Sequence, residues 1–166
     1  MAGIRLSKDE RYYERALHAY SKGELEAALA DMDAAIATAP RKAEYYAARG
    51  LMLLQDRAAD EAEADFAHAI KLDPTQWLAH YGRGMRAYQE KRHDEAVTHF
   101  SRAQRLAPQR PEVYLHRAAA LRARGDRQEA RHDADYALEL LQGESPLPPK
   151  VVRALREKAR QWQQAL

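Results

Sequence analysis

AEYYAARGLMLLQDRAADEAEADFAHAIKLDPTQ, residues 43–76, is one of four in-register copies of a 34-residue pattern. Its first part, 43–55, has no proline and carries Tyr46, Gly50 and Leu53 at helical spacing. Its second part, 59–72, carries Ala62, Phe66, Ala69, Ile70 and Leu72 with the same period. Between them, Asp56, Arg57 and Ala58 suffice only for a tight turn joining antiparallel helices. Asp60 and Glu61 fall in the first turn of the second helix, where the helix dipole favours negative charge. Pro74 ends that helix, because proline cannot continue the hydrogen-bond ladder.

The same reading extends along the chain. Pro40, Pro74 and Pro108 lie one period apart, as do Ala28, Ala62, Ala96 and Ala130, and Ala35, Ala69, Ala103 and Ala137. A fixed period of this length marks a stacked-repeat protein. Small residues recur where partner helices must approach closely: Ala16, Gly50, Gly84 and Ala118 at one position, Ala28 and its copies at another. Larger residues fill the space beside them: Tyr12, Tyr46, His80 and Tyr114 on the first helices, and Met32, Phe66 and Phe100 on the second. Glycine inside a helix costs about 0.5–1 kcal/mol relative to alanine. Two glycines at one repeat position therefore point to a steric need.

The second copy reads Tyr46, Arg49-Gly50, Leu53, Ala62, Phe66, Ala69, Pro74, and the third His80, Arg83-Gly84, Ala87, Ala96, Phe100, Ala103, Pro108. This resembles the tetratricopeptide repeat (TPR) family. The resemblance covers 9–142 and implies an all-α fold, an α-α superhelix (TPR solenoid) of antiparallel helix pairs, right-handed as in the family. The expected organisation is an N-terminal arm (1–8), repeats at 9–42, 43–76, 77–110 and 111–142, a linker (143–149) and a C-terminal capping helix (150–166). The fourth copy departs from the pattern, with Ala134 for the aromatic and Gln142 for the proline.

Where the family pattern has leucine, all four copies carry arginine: Arg15, Arg49, Arg83 and Arg117. Sixteen residues later come Asp31, Asp65, His99 and Asp133. In a helical hairpin this spacing brings the two groups together, and it predicts three partly buried Arg–Asp pairs that hold helix register. The alternative is an arginine ladder for phosphates or carboxylates.

The chain has 166 residues, 46% hydrophobic and 31% charged, with 27 basic against 25 acidic residues. A net charge of +2 makes no strong field for nucleic acid or an anionic membrane. Charge is uneven within it: 43–76 holds 3 basic and 7 acidic residues, and 77–110 the reverse, 7 and 3. There is no cysteine, which removes disulfides, thiol nucleophiles and cysteine-based zinc sites. No apolar signal segment and no run long enough to span a membrane is visible, so a cytoplasmic location is the default expectation. The ends of a repeat stack need capping. Val151, Val152, Leu155 and Trp162 form an apolar stripe suited to that role, on a helix otherwise rich in lysine and arginine. Ile4 and Leu6 are candidates to cover the opposite edge.

The resemblance also implies that the first helix of each pair lines a concave face. The residues expected there are Tyr13, Leu17, Tyr20, Leu51, Leu54, Leu78, Tyr81, Met85, Tyr88, Leu115, His116 and Arg122, with Ala47, Ala48, Gly82 and Ala119 leaving room between them. Such a face is apolar and aromatic and suits a helical or extended apolar segment of a protein partner. Some family members clamp the C-terminal carboxylate of chaperone tails with lysine, asparagine and arginine. The matching positions here are Tyr13, Leu17, Ala48, Leu78 and Gly82, so an Hsp70/Hsp90 tail is not the expected partner. The expected function is that of a non-catalytic interaction scaffold, monomeric or weakly dimeric, without cofactor. One alternative is homo-oligomeric assembly through the face and the C-terminal helix. A remote alternative is a metal-dependent or enzyme-accessory module using His80 and His116. The seven histidines form no HExxH set, no phosphate loop is present, and no paired acid and base can be argued from spacing.

Overall fold

A computed structural model describes residues 5–142 and 148–164, apart from the side chains of Trp162 and Gln163. Its described residues form nine α-helices and no strand: α1 (Lys8–Ser21), α2 (Leu25–Thr38), α3 (Ala43–Gln55), α4 (Ala59–Leu72), α5 (Trp77–Gln89), α6 (His93–Leu106), α7 (Pro111–Arg124), α8 (Arg127–Gln142) and α9 (Pro149–Gln164). The boundaries of α3 and α4 are those read from residues 43–76. The chain divides into two compact units, Met1–Gly82 and Arg83–Leu166.

In the first unit, α1 starts at a capping box: Ser7 accepts from the backbone N–H of Glu10, and the Glu10 carboxylate accepts from the N–H of Ser7. Ala16, Ala28, Met32, Ala35, Tyr45, Ala48 and Met52 form the core between α1, α2 and α3. Phe66 of α4 is fully buried. A Cβ added to Gly50 would come within 2.5 Å of its ring, and one added to Gly82 would come closer still. The ring therefore sits between the two backbones. This accounts for Gly50 as expected, and it corrects the reading of Gly82: that glycine makes way for Phe66 and is not room for a ligand.

In the second unit, Phe100 takes the place of Phe66. A Cβ on Gly84 would fall 2.7 Å from it. His116, one period after Gly82, lies with its ring 6.1 Å from the Phe100 ring. The helix α9 packs on α7 and α8, with Ala159 fully buried and Leu155 against Tyr114, Leu115 and Ala137. The guanidinium of Arg156 donates to the carbonyl of Leu141 near the end of α8. Val151, expected on the buried stripe, is exposed. The buried face of α9 runs instead through Val152, Leu155 and Ala159, which keeps the i, i+3, i+7 spacing of a single helix side. Leu6 is exposed. Ile4, most of the linker and the Trp162 side chain lie outside the described residues.

The turn inside each helix pair uses the left-handed region at one repeat position. Gly23 and Gly125 have φ of 79° and 105°, and Arg57 and Lys91 have φ of 62° and 60°. Glycine adopts this conformation without strain, and the other two residues do not.

Candidate functional site

Three arginines of the series hold aspartates across their helix pairs. Arg117 donates through Nε and Nη2 to the two oxygens of Asp133, both at 2.7 Å, and the carboxylate is only 2% exposed. Arg49 makes the same fork to Asp65, at 2.8 and 2.7 Å. Arg15 reaches Asp31 with one bond of 2.8 Å, and its own side chain is 66% exposed. All three expected pairs form. Each arginine also lies over the aromatic ring three residues before it, with Arg15, Arg49 and Arg117 at 5.6, 5.8 and 5.9 Å from Tyr12, Tyr46 and Tyr114. A planar guanidinium can bind a carboxylate in its plane and a ring on its face together, which a lysine cannot do.

The sequence reading missed the backward reach of these arginines. Arg49 also donates through Nη1 to Asp33 on α2 at 2.7 Å. Arg117 likewise reaches back to Gln104 at 2.8 Å and Ser101 at 3.3 Å on α6. Asp33 and Ser101 stand sixteen residues before their arginines, so the signal was present as a second spacing of the same length. A further repeated device joins the first-helix aromatics to the loops before them. Tyr46 and Tyr114 donate their hydroxyls to the carbonyls of Pro40 and Pro108, at 3.0 and 3.1 Å. His80 Nε2 stands 3.4 Å from the carbonyl of Pro74. The first-helix aromatic thus ties down the loop before its own helix.

A polar cluster at the start of the first unit had no sequence signal. The Tyr45 hydroxyl donates to Asp9 at 2.8 Å, and Lys42 donates to the same carboxylate at 2.7 Å. Lys42 and Ser7 hold Asp9 well below the usual carboxylate range, and Asp9 in turn raises the Lys42 ammonium. Tyr13 stacks on Tyr45 at 4.8 Å and donates to Glu44 at 2.9 Å. Burial, with Glu44 beside it, raises the Tyr13 phenol.

The structure sorts the expected first-helix face. In the first unit Leu17 is exposed, Tyr13, Tyr20, Leu51, Leu78 and Tyr81 are half-buried, and Leu54 is buried. Trp77 pairs with Tyr81 at 6.1 Å. In the second unit Met85 and Tyr88 are half-buried and Arg122 is exposed, whereas Leu115 is fully buried in the core that α9 completes. Leu54 and Leu115 therefore offer no surface to a ligand. His116 is half-buried. Its Nδ1 is 2.8 Å from the Glu112 carbonyl, and its Nε2 is 3.5 Å from the Lys158 ammonium on α9. Burial, with Lys158 adding to it, lowers its pKa to about 4. Among the described residues no group of three or more histidine, aspartate or glutamate side chains is placed to hold a metal ion. None of the described helices is long and apolar enough to cross a membrane.

The tetratricopeptide repeat family model matches residues 13–76 and 59–111. The chain belongs to that family. Its members are in general non-catalytic scaffolds that hold protein partners. A thermophilic TPR protein of Thermus thermophilus is similar over 95% of this chain and 82% of its own, with a TM-score of 0.79 and 15% identity. The TPR domain of Arabidopsis OM64 is similar over 69% of this chain and 94% of its own, with a TM-score of 0.62 and 24% identity. MamA of AMB-1 aligns over 84% of this chain and 76% of its own, with a TM-score of 0.57 and 21% identity. These likenesses establish the all-α TPR solenoid fold. No curated protein matches the sequence significantly.

Proposed function

We propose that this chain is a non-catalytic scaffold whose first-helix face, in the first unit, holds an apolar segment of another protein, helical or extended. The observation that carries this is a difference in burial. The large side chains of the second helices, Met32 and Phe66, are fully buried, whereas Leu17 on the first helix remains 37% exposed. Tyr13, Tyr20, Leu51, Leu78 and Tyr81 keep part of their surface beside it. Tyrosine and leucine left partly open at helical spacing suit a partner's apolar stripe, because aromatic anchors bury large area at small entropic cost. No lysine or arginine stands among these six residues, so a terminal carboxylate has no counter-charge from them.

The test is selection of peptides from a displayed random library on the immobilised chain, followed by fluorescence anisotropy. The selected peptides should be rich in apolar residues at i, i+3, i+4 or at alternate positions. Leu17→Glu and Tyr81→Asp variants that melt like the parent should lose most of the binding. Selected peptides that bind both variants as tightly as the parent would remove this face from the function.

A further inference from the structure

A cleft of about 520 Å³ lies elsewhere in the first unit, between α2 and α4, with α3 as its floor. Leu29 and Leu53 line it, and both keep part of their surface exposed. Its polar lining is four carboxylates, Asp33, Asp56, Glu61 and Asp65, against one guanidinium, Arg49. That guanidinium is already engaged by Asp33 and Asp65. Asp56 and Glu61 stand exposed at the rim. The cleft is thus acidic and partly apolar.

The second unit contains the same construction two periods later, on α6, α7 and α8, and there its leucine is buried. Leu121, the counterpart of Leu53, is buried against Val97, Ala118 and Ala130. At the position of Asp56 stands Arg124. Its guanidinium pairs with Asp126 and lies 3.5 Å from Asp94 on α6. Where the second unit has an arginine at this repeat position, the first has a further carboxylate.

We propose that the α2–α4 cleft is a second docking site, distinct from the first-helix face, and that it accepts an arginine side chain flanked by an apolar residue from a basic segment of another protein. The incoming guanidinium sits between Asp56 and Glu61, and the apolar neighbour covers Leu29 and Leu53. Charge complementarity selects a cation, since four carboxylates face one guanidinium in the lining. An arginine fits better than a lysine because its planar fork binds carboxylates bidentately while its stem covers apolar surface.

The experiment is an NMR titration of the full ¹⁵N-labelled chain with acetyl-Leu-Arg-Leu-amide, and with the same peptide carrying neutral citrulline for arginine. The expected result is saturable shifts at the amides around Leu29, Asp33, Asp56 and Glu61. The citrulline peptide should bind about tenfold more weakly or worse, as expected for losing charge-assisted hydrogen bonds. Asp56→Arg, which copies the second unit, should abolish the shifts, and Asp56→Asn with Glu61→Gln should weaken them. Leu17→Glu should leave them unchanged, which separates this site from the first-helix face. Equal binding of the two peptides, or undiminished shifts in Asp56→Arg, would overturn the proposal. So would concentration-dependent self-association of the parent that Asp56→Arg abolishes, since that assigns the cleft to a second copy of the chain.

Discussion

Arg49 and Arg117 occupy equivalent places in the two units, yet their surroundings have diverged. Both hold an aspartate sixteen residues ahead through a two-bond fork. Around Arg117 the space is closed: Asp133 is 2% exposed, Leu121 is buried, and Arg124 reaches over to Asp94. Around Arg49 it is open: Asp65 is 8% exposed, Asp33 is largely in water, and Leu53 lines a cleft. The lesson is that one repeat scaffold can carry either a closed core or an accessible site. The choice rests on a few substitutions beside the shared ion pair, and the pair itself is the same in both.

The largest test of that comparison is removal of the aspartates. Breaking a buried pair from one side leaves an uncompensated charge and costs about 3–5 kcal/mol. Asp133→Ala should approach that cost in urea unfolding. Asp65→Ala should cost less, because Asp33 still holds Arg49. Asp31→Ala should cost under about 1 kcal/mol, because its partner is exposed and the pair is screened. Equal losses in all three would break the contrast between closed and open settings.

Next is the pH dependence of the second unit. His116 titrates near 4 in the folded chain, against an ordinary value of 6.5. The unfolded chain therefore takes up its proton first, and stability falls as pH drops from about 6.5 towards 4. The loss is up to about 3 kcal/mol. His116→Ala should flatten this part of the profile, with the stability measured by denaturant melts at pH 7 and pH 4.5. A slope that survives the substitution would assign it to other groups.

A smaller effect separates the two phenylalanine wedges. Gly50→Ala and Gly84→Ala each gain helix propensity and meet a ring, at 2.5 and 2.7 Å. Phe66 cannot retreat, because Gly82 closes its other side, whereas Phe100 has the His116 ring 6.1 Å away. Overpacking costs about 1–3 kcal/mol. Gly50→Ala should fall at the upper end of that range and Gly84→Ala near the lower end, in thermal melts.

The smallest effect is a gain. Arg57→Gly and Lys91→Gly should each stabilise the chain by about 0.5–1 kcal/mol by relieving a left-handed backbone. Gly125→Ala should destabilise it by a similar amount.

Much of this molecule could be read along the chain. A two-helix brick that cannot bury its apolar side alone repeats its packing residues at a constant period. Helix ends, the Phe66–Gly50 contact and the Arg–Asp pairs followed from that register, because each joins residues within one hairpin. The candidate face was legible only as a helix side. Which members stay exposed depends on what another element lays over them. Tyr13 and Leu115 hold the same repeat position, yet α9 completes a core around Leu115 while Tyr13 stays half-buried.

The repeat, the helix pairs and the ion pairs can be read off the chain alone, since they obey short, regular spacings set by helix geometry. The folded chain adds that Asp9, Lys42 and Tyr45 share hydrogen bonds, that the His116 ring lies beside Lys158, and that Leu53 lines a cleft while its counterpart Leu121 is buried. Those outcomes depend on the volume and charge brought by neighbouring helices, which spacing along a single helix does not specify.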